Sequence, residues 1–221
     1  MIRSWIVRYG MRSCFHGFLG LSLLGCSVMG AQKQDQAIYD LFASNASQEA
    51  KTVDSKARLA GTTLTLRLAE VQAPAWLNTT AMQYRLSYVE PNQRHVYAES
   101  RWAAPPAEML EQVIARQSRV SRGRYESGGC QLHVSLDEFI QTFDAPERSH
   151  ALLDVRAVLL APGTPQVIDR RNFQFSIPVD ANARSGVSGF VLATDKLARG
   201  LDDWLAGMER DRSEIVKRCS N

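Results

Sequence analysis

The stretch QLHVSLDEFIQTF at residues 131–143 is the strongest structural signal in this chain. Apolar and polar residues alternate in its first half, which predicts a strand with one buried face because successive side chains point to opposite faces. Two further apolar-rich stretches follow at residues 151–161 and 166–177, and the turn signal Pro-Gly-Thr-Pro separates them. We expect an antiparallel meander of three strands that Pro178 ends.

The preceding part of the chain carries the same alternation in shorter pieces. Residues 63–71, 81–89 and 95–102 predict three strands, and the segment Pro-Asn-Gln-Arg between the last two predicts a hairpin turn. A helix should begin after Pro105 and run to about Val120, because proline fits the first turn of a helix.

The C-terminal part of the chain is amphipathic with the period of a helix. Apolar residues from Val187 to Met208 recur at three- and four-residue steps. The predicted order of elements is therefore β-β-β-α-β-β-β-α. One helix in the middle and one at the end indicate an α/β (α+β) sandwich, with a mixed sheet of about five to six strands and two main helices.

The first 25 residues have the pattern of an export leader. A basic segment precedes an apolar run at residues 15–24, which is too short to span a bilayer. The sequence Leu-Leu-Gly-Cys that ends at Cys26 resembles a bacterial lipobox, whose cysteine receives diacylglycerol and then an N-acyl chain. The alternatives are an ordinary secretory signal and a short anchor helix. Translation could start at Met1 or at Met11.

These features divide the chain into four regions. We predict a lipoprotein signal peptide at residues 1–25, a lipid anchor and mostly flexible tether at 26–60, one folded domain at 61–210 and a tail at 211–221. Within the tether, the apolar patch at residues 38–42 could pair with the domain as an edge strand. No segment after the leader approaches the roughly 20 apolar residues of a membrane-spanning helix.

The charge of the chain argues against one class of function. Its net charge is +3, from 26 basic and 23 acidic side chains. Arg3, Arg8 and Arg12 lie in the leader, which holds no acidic residue, so the mature chain is formally neutral. Binding to nucleic acid needs a net basic surface, and we do not expect it here.

Two cysteines remain after the leader and the anchor are accounted for. Cys14 leaves with the leader and Cys26 takes the lipid, so Cys130 and Cys219 are left. In an exported protein this pair could form a disulfide, which would stabilise the fold by roughly 4–5 kcal/mol. The alternative is two free thiols.

The sequence lacks the motifs of common enzymes. It has no nucleophile elbow, no phosphate-binding loop and no dinucleotide fingerprint. The three histidines of the mature chain stand apart, without a second metal ligand at a suitable spacing. Asp137-Glu138 and Asp202-Asp203 are adjacent pairs, whose side chains do not converge on one point. We predict no enzymatic activity, no metal and no cofactor beyond the acyl groups on Cys26.

Aromatic residues crowd the first half of the predicted domain. They are Trp76, Tyr84, Tyr88, Tyr97 and Trp102. They could form part of the core, or some of them could line a groove for a partner or an acyl chain, because aromatic residues anchor interfaces well. Both interpretations stay open at this level.

Several of these residues belong to a pattern that resembles a known family. The pattern combines Tyr39-x-Leu41, Pro74-x-Trp76-Leu77, Met82-x-Tyr84-Arg85, the segment from Tyr97 to Pro106, and Trp204-Leu205 in the last helix. It is similar to the auxiliary lipoproteins of ABC-type transport systems, which include the lipoprotein of the paraquat-inducible (Pqi) system. The resemblance covers about residues 36–208.

The resemblance implies a fold, a location and a set of partners. The fold would be a three-layer α/β sandwich, anchored through Cys26 at the periplasmic face of the outer membrane, for which Ser27 is a suitable next residue. The partners would be an MCE-domain periplasmic protein and an inner-membrane permease with its ATPase, and copies of the chain could form a ring. The task would be non-catalytic help in moving lipids or other hydrophobic molecules between membranes.

The sequence also yields a set of candidate interface residues and two alternative functions. The alternatives are assembly or chaperone work for another outer-membrane complex and, as the weaker one, a periplasmic hydrolase. We expect the interface or groove to involve Tyr39, Trp76, Tyr84, Arg85, Tyr97 and Trp102.

Overall fold

The computed structural model describes most of the predicted domain. The described residues are 35–42, 66–118, 120–122, 129–211 and 213–219. The leader, Cys26, both candidate start methionines and most of the predicted tether lie outside these ranges. Within them, no helix is both long and apolar enough to cross a bilayer.

One mixed sheet of eight strands carries the described part of the chain. The predicted α/β sandwich with a mixed sheet and two main helices is confirmed. The strand number exceeds the predicted five to six because the apolar patch at residues 38–42 contributes β1 as an edge strand, and because β5 has only two residues, too few to show alternation. In chain order the elements are β1 (Ala37–Tyr39), β2 (Leu66–Leu68), a 3-10 turn (Ala75–Leu77), β3 (Ala81–Leu86), β4 (His95–Trp102), α1 (Pro106–Gln117), β5 (Ser121–Arg122), β6 (Cys130–Ala145), β7 (Arg148–Leu160), β8 (Val167–Val179), α2 (Ala183–Asp211) and α3 (Ser213–Cys219).

The three long strands β6, β7 and β8 form the predicted antiparallel meander. On its other side β6 pairs in parallel with β2 and β3, which makes the sheet mixed. Pro178 does not end the last strand, because β8 continues to Val179 with Pro178 opposite His150. Among the described strands β8 pairs with β7 alone, and an edge strand tolerates a proline that cannot donate a backbone hydrogen bond.

The described helices and the sheet form two layers, not the three that the resemblance implied. Helices α1 and α2 contact each other, and alternate residues of β6 and β7 are buried beneath the helical layer. We call this side of the sheet the helix face and the other side the open face. Trp102 from β4, Phe139 from β6 and Phe190 from α2 meet at the centre of the helix face, with ring centroids 4.0–5.6 Å apart. Their burial holds α2 on the sheet.

Part of the predicted tether belongs to the folded domain. Strand β1 pairs in parallel with β4, and the Ala103 N–H donates to the Tyr39 carbonyl at 2.7 Å. Leu41 is buried in the core, and the Arg116 guanidinium of α1 lies 4.5 Å from the centre of the Phe42 ring. The apolar patch at residues 38–42 therefore fixes the chain to the domain edge, well before residue 61.

A disulfide joins Cys130 at the start of β6 to Cys219 at the end of α3. The Cα atoms are 4.9 Å apart, and the two residues are separated by 89 positions in sequence. Both are fully buried. The bridge fixes the C-terminal helix to the first residue of the longest strand.

Glycine at position 189 allows α2 to approach the sheet closely. A Cβ there would lie 2.6 Å from Val179 Cγ1 and 2.8 Å from Ala151 Cβ, and the latter cannot move without its backbone. We expect Gly189→Ala to lower the free energy of unfolding by about 1–2 kcal/mol, because overpacking exceeds the gain in helix propensity. Urea unfolding monitored by circular dichroism measures this change.

The matched control is Gly207→Ala in the same helix. A Cβ at Gly207 meets no atom within 4 Å, so the substitution should leave stability unchanged or raise it by up to about 1 kcal/mol. Equal effects at the two positions would show that close approach of α2 does not explain Gly189.

Candidate interaction surface

The β3–β4 strand pair carries most of the candidate interface residues. Tyr84 of β3 is paired with His95 of β4, and Gln83 with Val96. Because side chains alternate along a strand, the candidates divide between the two faces of the sheet. Tyr39, Tyr84, Tyr97 and Trp102 belong to the helix face, whereas Trp76 and Arg85 belong to the open face.

Trp102 is not part of an exposed interface, which corrects the expectation for this residue. Its side chain is 1% exposed. The indole packs edge-on against Phe139 and Phe190. Of the two interpretations of the aromatic residues, core packing applies to Trp102, because the register of β4 turns its side chain toward α2.

Tyr84, His95, Tyr97 and Phe143 form an aromatic cluster at one end of the helix face. The Tyr84 ring stacks on His95 at 5.1 Å and lies 4.6 Å from Tyr97 and 5.8 Å from Phe143, measured between centroids. The Tyr97 hydroxyl donates to Gln141 Oε1 at 2.9 Å. Burial, followed by the nearby Tyr84, raises the pKa of Tyr97 well above its ordinary value, so the phenol stays protonated and remains a donor.

Gln141 connects this cluster to β7 and to the segment that leads into α2. Its side chain is almost completely buried, and its Nε2 lies 2.8 Å from Ser149 Oγ, 3.2 Å from the Asp180 carbonyl and 3.3 Å from the Asn182 carbonyl. A Cβ at Gly186 would overlap the Gln141 amide. The hydrogen-bonding capacity of Gln141 is thus used within the fold, where it ties β6 to β7 and to the start of α2.

Glu138 organises a charged cluster on the open face. Arg94 Nη2 donates to both carboxylate oxygens of Glu138, at 2.9 and 2.7 Å, and Arg85 Nη2 donates to one of them at 3.1 Å. Arg94 Nη1 also donates to Gln83 Oε1 at 3.1 Å. Two guanidinium groups share one carboxylate, so these three residues carry a formal charge of +1.

Trp76 lies at the edge of this cluster and is 55% exposed. The Arg94 guanidinium lies 5.9 Å from the centre of the indole, within the range of a cation–π interaction. The Trp76 carbonyl accepts a hydrogen bond from Gln83 Nε2 at 2.6 Å. The backbone at Trp76 is therefore held in place while its ring remains largely in solvent.

Sequence reasoning missed Arg94, Glu138 and Gln141. In sequence Glu138 belongs to the adjacent acidic pair Asp137-Glu138, and the structure separates the two carboxylates through a β-bulge. Asp137 is the extra residue between Leu136 and Glu138, and its carboxylate pairs with Arg156 instead of the Glu138 partners. Adjacent acidic residues at a bulge can thus pair with different arginines. The Asp137-Glu138 pair was the sequence signal that could have indicated the charged cluster.

The chemistry of this surface suits binding. Across the described ranges, no group of three or more His, Cys, Asp and Glu side chains is arranged to hold a metal ion. The side chains of Gln83, Arg94, Glu138, Tyr97 and Gln141 hydrogen-bond with one another or with the backbone, while Arg85 bonds to Glu138 through Nη2 and its Nε is buried without a partner among the described residues. An exposed aromatic ring beside a fixed arginine is the type of feature that contributes most to protein interfaces.

Comparison with known proteins identifies the family of the chain. Residues 44–203 match the family model described as ABC-type transport auxiliary lipoprotein component. The chain belongs to this family. The resemblance drawn from the sequence is thereby confirmed, and no curated protein matches the chain.

Two crystal structures have the fold of this auxiliary lipoprotein. Protein XCC0632 from Xanthomonas campestris, of the family DUF330, is 19% identical with a TM-score of 0.60, over 68% of this chain and 88% of that chain. An uncharacterized protein is 14% identical with a TM-score of 0.57, over 77% of this chain and 99% of that one. At these identities the likeness concerns the fold.

Proposed function

We propose that this auxiliary lipoprotein is a non-catalytic docking subunit of an MCE/ABC-type envelope transport system. In this proposal acyl chains on Cys26 hold it at the periplasmic face of the outer membrane. It receives an MCE-domain periplasmic protein whose permease and ATPase move lipids or other hydrophobic molecules. The match of residues 44–203 to the ABC-type transport auxiliary lipoprotein family carries the proposal.

The anchor follows from the chemistry of the lipobox. Acyl chains contribute about 0.8 kcal/mol per buried CH₂, and two or more chains give a stable attachment where one does not. Diacylglycerol with an N-acyl chain exceeds this requirement. A domain attached in this way needs no apolar spanning segment of its own.

We place the docking contact on the open face around Trp76. The ring is 55% exposed, and its backbone is held by Gln83. Arg94 beside it is fixed by Glu138. A rigid aromatic side chain loses little conformational entropy when a partner covers it, which favours binding.

The anchor and the partner can be tested together in cells. The variant Cys26→Ser should leave the outer-membrane fraction, and intact mass should show acyl groups on wild-type Cys26 alone. Capture of the wild-type protein from detergent-solubilised envelopes should recover an MCE-domain protein, and Trp76→Ala should recover less of it. The Trp76→Ala protein should unfold at the wild-type urea concentration, because the ring is largely exposed.

Two results would contradict the proposal. Unchanged membrane fractionation of Cys26→Ser would remove the anchor. Capture that recovers an outer-membrane β-barrel and never an MCE-domain protein would favour an assembly function instead.

A further inference from the structure

The turn between β3 and β4 exposes two neighbouring apolar side chains. Tyr88 is 46% exposed and Val89 is 66% exposed. The turn is nevertheless well ordered, because Val89 N–H and Glu90 N–H both donate to the Leu86 carbonyl at 3.0 Å. The Ser87 N–H donates to the Phe143 carbonyl of β6 at 2.9 Å and fixes the turn to the sheet. These side chains are therefore held outward by a folded turn.

The direction of β1 relates this turn to the N-terminal side of the chain. Because β1 is parallel to β4, its N-terminal end points toward the end of the sheet where β4 begins, which is the end with the β3–β4 turn. Gln36 Nε2 donates to the Ala98 carbonyl at 2.8 Å, so the chain keeps this direction before β1. Because β4 carries extra residues between Val96 and Arg101, Asp35 lies within about 10 Å of the level of His95, at a strand rise of about 3.3 Å per residue.

The length of chain between the lipid anchor and the domain then limits the distance to the membrane. Cys26 lies nine positions before Asp35. A fully extended chain of that length spans at most about 30 Å, and a flexible one about 17 Å on average. The end of the sheet that carries the β3–β4 turn is thus the end brought closest to the bilayer.

We propose that the β3–β4 turn rests on the phospholipid surface, with Tyr88 and Val89 in the interfacial region. This inference rests on the proposed lipid anchor at Cys26. A tyrosine ring is suited to the interface because its body is apolar and its hydroxyl stays in water. The Glu90 carboxylate accepts a hydrogen bond from the Asn92 N–H at 3.1 Å, which directs it back into the turn.

The opposite end of the sheet provides a matched control. Since β3 is parallel to β6, the β3–β4 turn lies at the same end as the turn between β6 and β7, and the turn between β7 and β8 lies at the other end. Val167, directly after that turn, is 42% exposed. Val89 and Val167 are thus exposed valines at opposite ends of one sheet.

The test uses the full mature lipoprotein in vesicles of phosphatidylethanolamine and phosphatidylglycerol. Val89→Cys and Val167→Cys are each labelled with a polarity-sensitive fluorophore. With Cys26 acylated and Cys130 bridged to Cys219, the introduced cysteine is the thiol that reacts, and the unsubstituted protein should take no label. We expect emission at position 89 to shift to shorter wavelength and to be quenched by brominated lipids, and emission at position 167 to stay as in water.

The outcomes separate this inference from the proposed function. Acylated Cys26 together with water-like emission at position 89 would overturn the membrane contact and leave the anchor intact. An intact mass without acyl groups on Cys26 would overturn both. Equal quenching at positions 89 and 167 would overturn the orientation.

Discussion

Removal of the Cys130–Cys219 disulfide should lower the free energy of unfolding by about 4–5 kcal/mol. The bridge closes a loop of 89 positions, and in the chain-entropy model a loop of this size strongly restricts the unfolded chain. The change to make is Cys130→Ala with Cys219→Ala, and the measurement is urea unfolding of the purified protein. A typical domain is stable by only 5–15 kcal/mol, so this loss amounts to between roughly a third and nearly all of its stability.

The single variants separate cross-linking from packing. Either Cys130→Ala or Cys219→Ala removes the whole cross-link, so each should cost nearly as much as the double variant. Reduction of the wild-type protein should have a similar effect. Single effects that add up to the double effect would attribute the stability to local packing of the two buried sulfur atoms.

The second large effect is expected at the charged cluster on the open face. Glu138→Gln keeps the size of the side chain and removes the charge that Arg85 and Arg94 share. Glu138 is only 16% exposed, and loss of one partner leaves two poorly solvated guanidinium groups without a counter-charge. We expect the free energy of unfolding to fall by about 2–4 kcal/mol, which is read from urea unfolding at low and high salt.

The neighbouring residue is the control for this prediction. Asp137 also pairs with an arginine, but Arg156 is 60% exposed. Asp137→Asn should therefore cost much less stability than Glu138→Gln, because exposed ion pairs contribute little. Equal losses at positions 137 and 138 would show that burial does not set the strength of these pairs.

The long elements could be predicted from the sequence because their patterns are long. The alternation at residues 131–143 and the helical period from Val187 to Met208 extend over many residues, and β6 and α2 contain them. Strand β2 lies within the predicted strand at residues 63–71, and β1 overlaps the apolar patch at residues 38–42. Strand β5 could not be predicted, because its two residues show no period and it forms only where β2 offers hydrogen bonds.

The interaction surface could be predicted from the sequence only in part, because the face on which each side chain lies depends on the register of strand pairing. The β3–β4 pairing shifts register between Ala81 and Gln83, and this shift changes which face each later residue of β4 occupies. The sequence indicates Trp76 and Trp102 equally as interface candidates. In the structure Trp76 is largely exposed and Trp102 lies in the core. Arg94 was assigned to a turn, and only the pairing of β3 with β6 brings it to Glu138, 44 positions away.

The pairing of β1 with β4 also limits the distance between the folded domain and an anchor at Cys26. Because the chain joins the sheet at Ala37, roughly ten residues separate it from an acylated Cys26, and not the thirty-five residues of the predicted tether. With Cys26 in the membrane, a connecting segment of that length keeps the domain within a few nanometres of the bilayer. In the proposed arrangement, a partner that crosses the periplasm must therefore span the remaining distance itself.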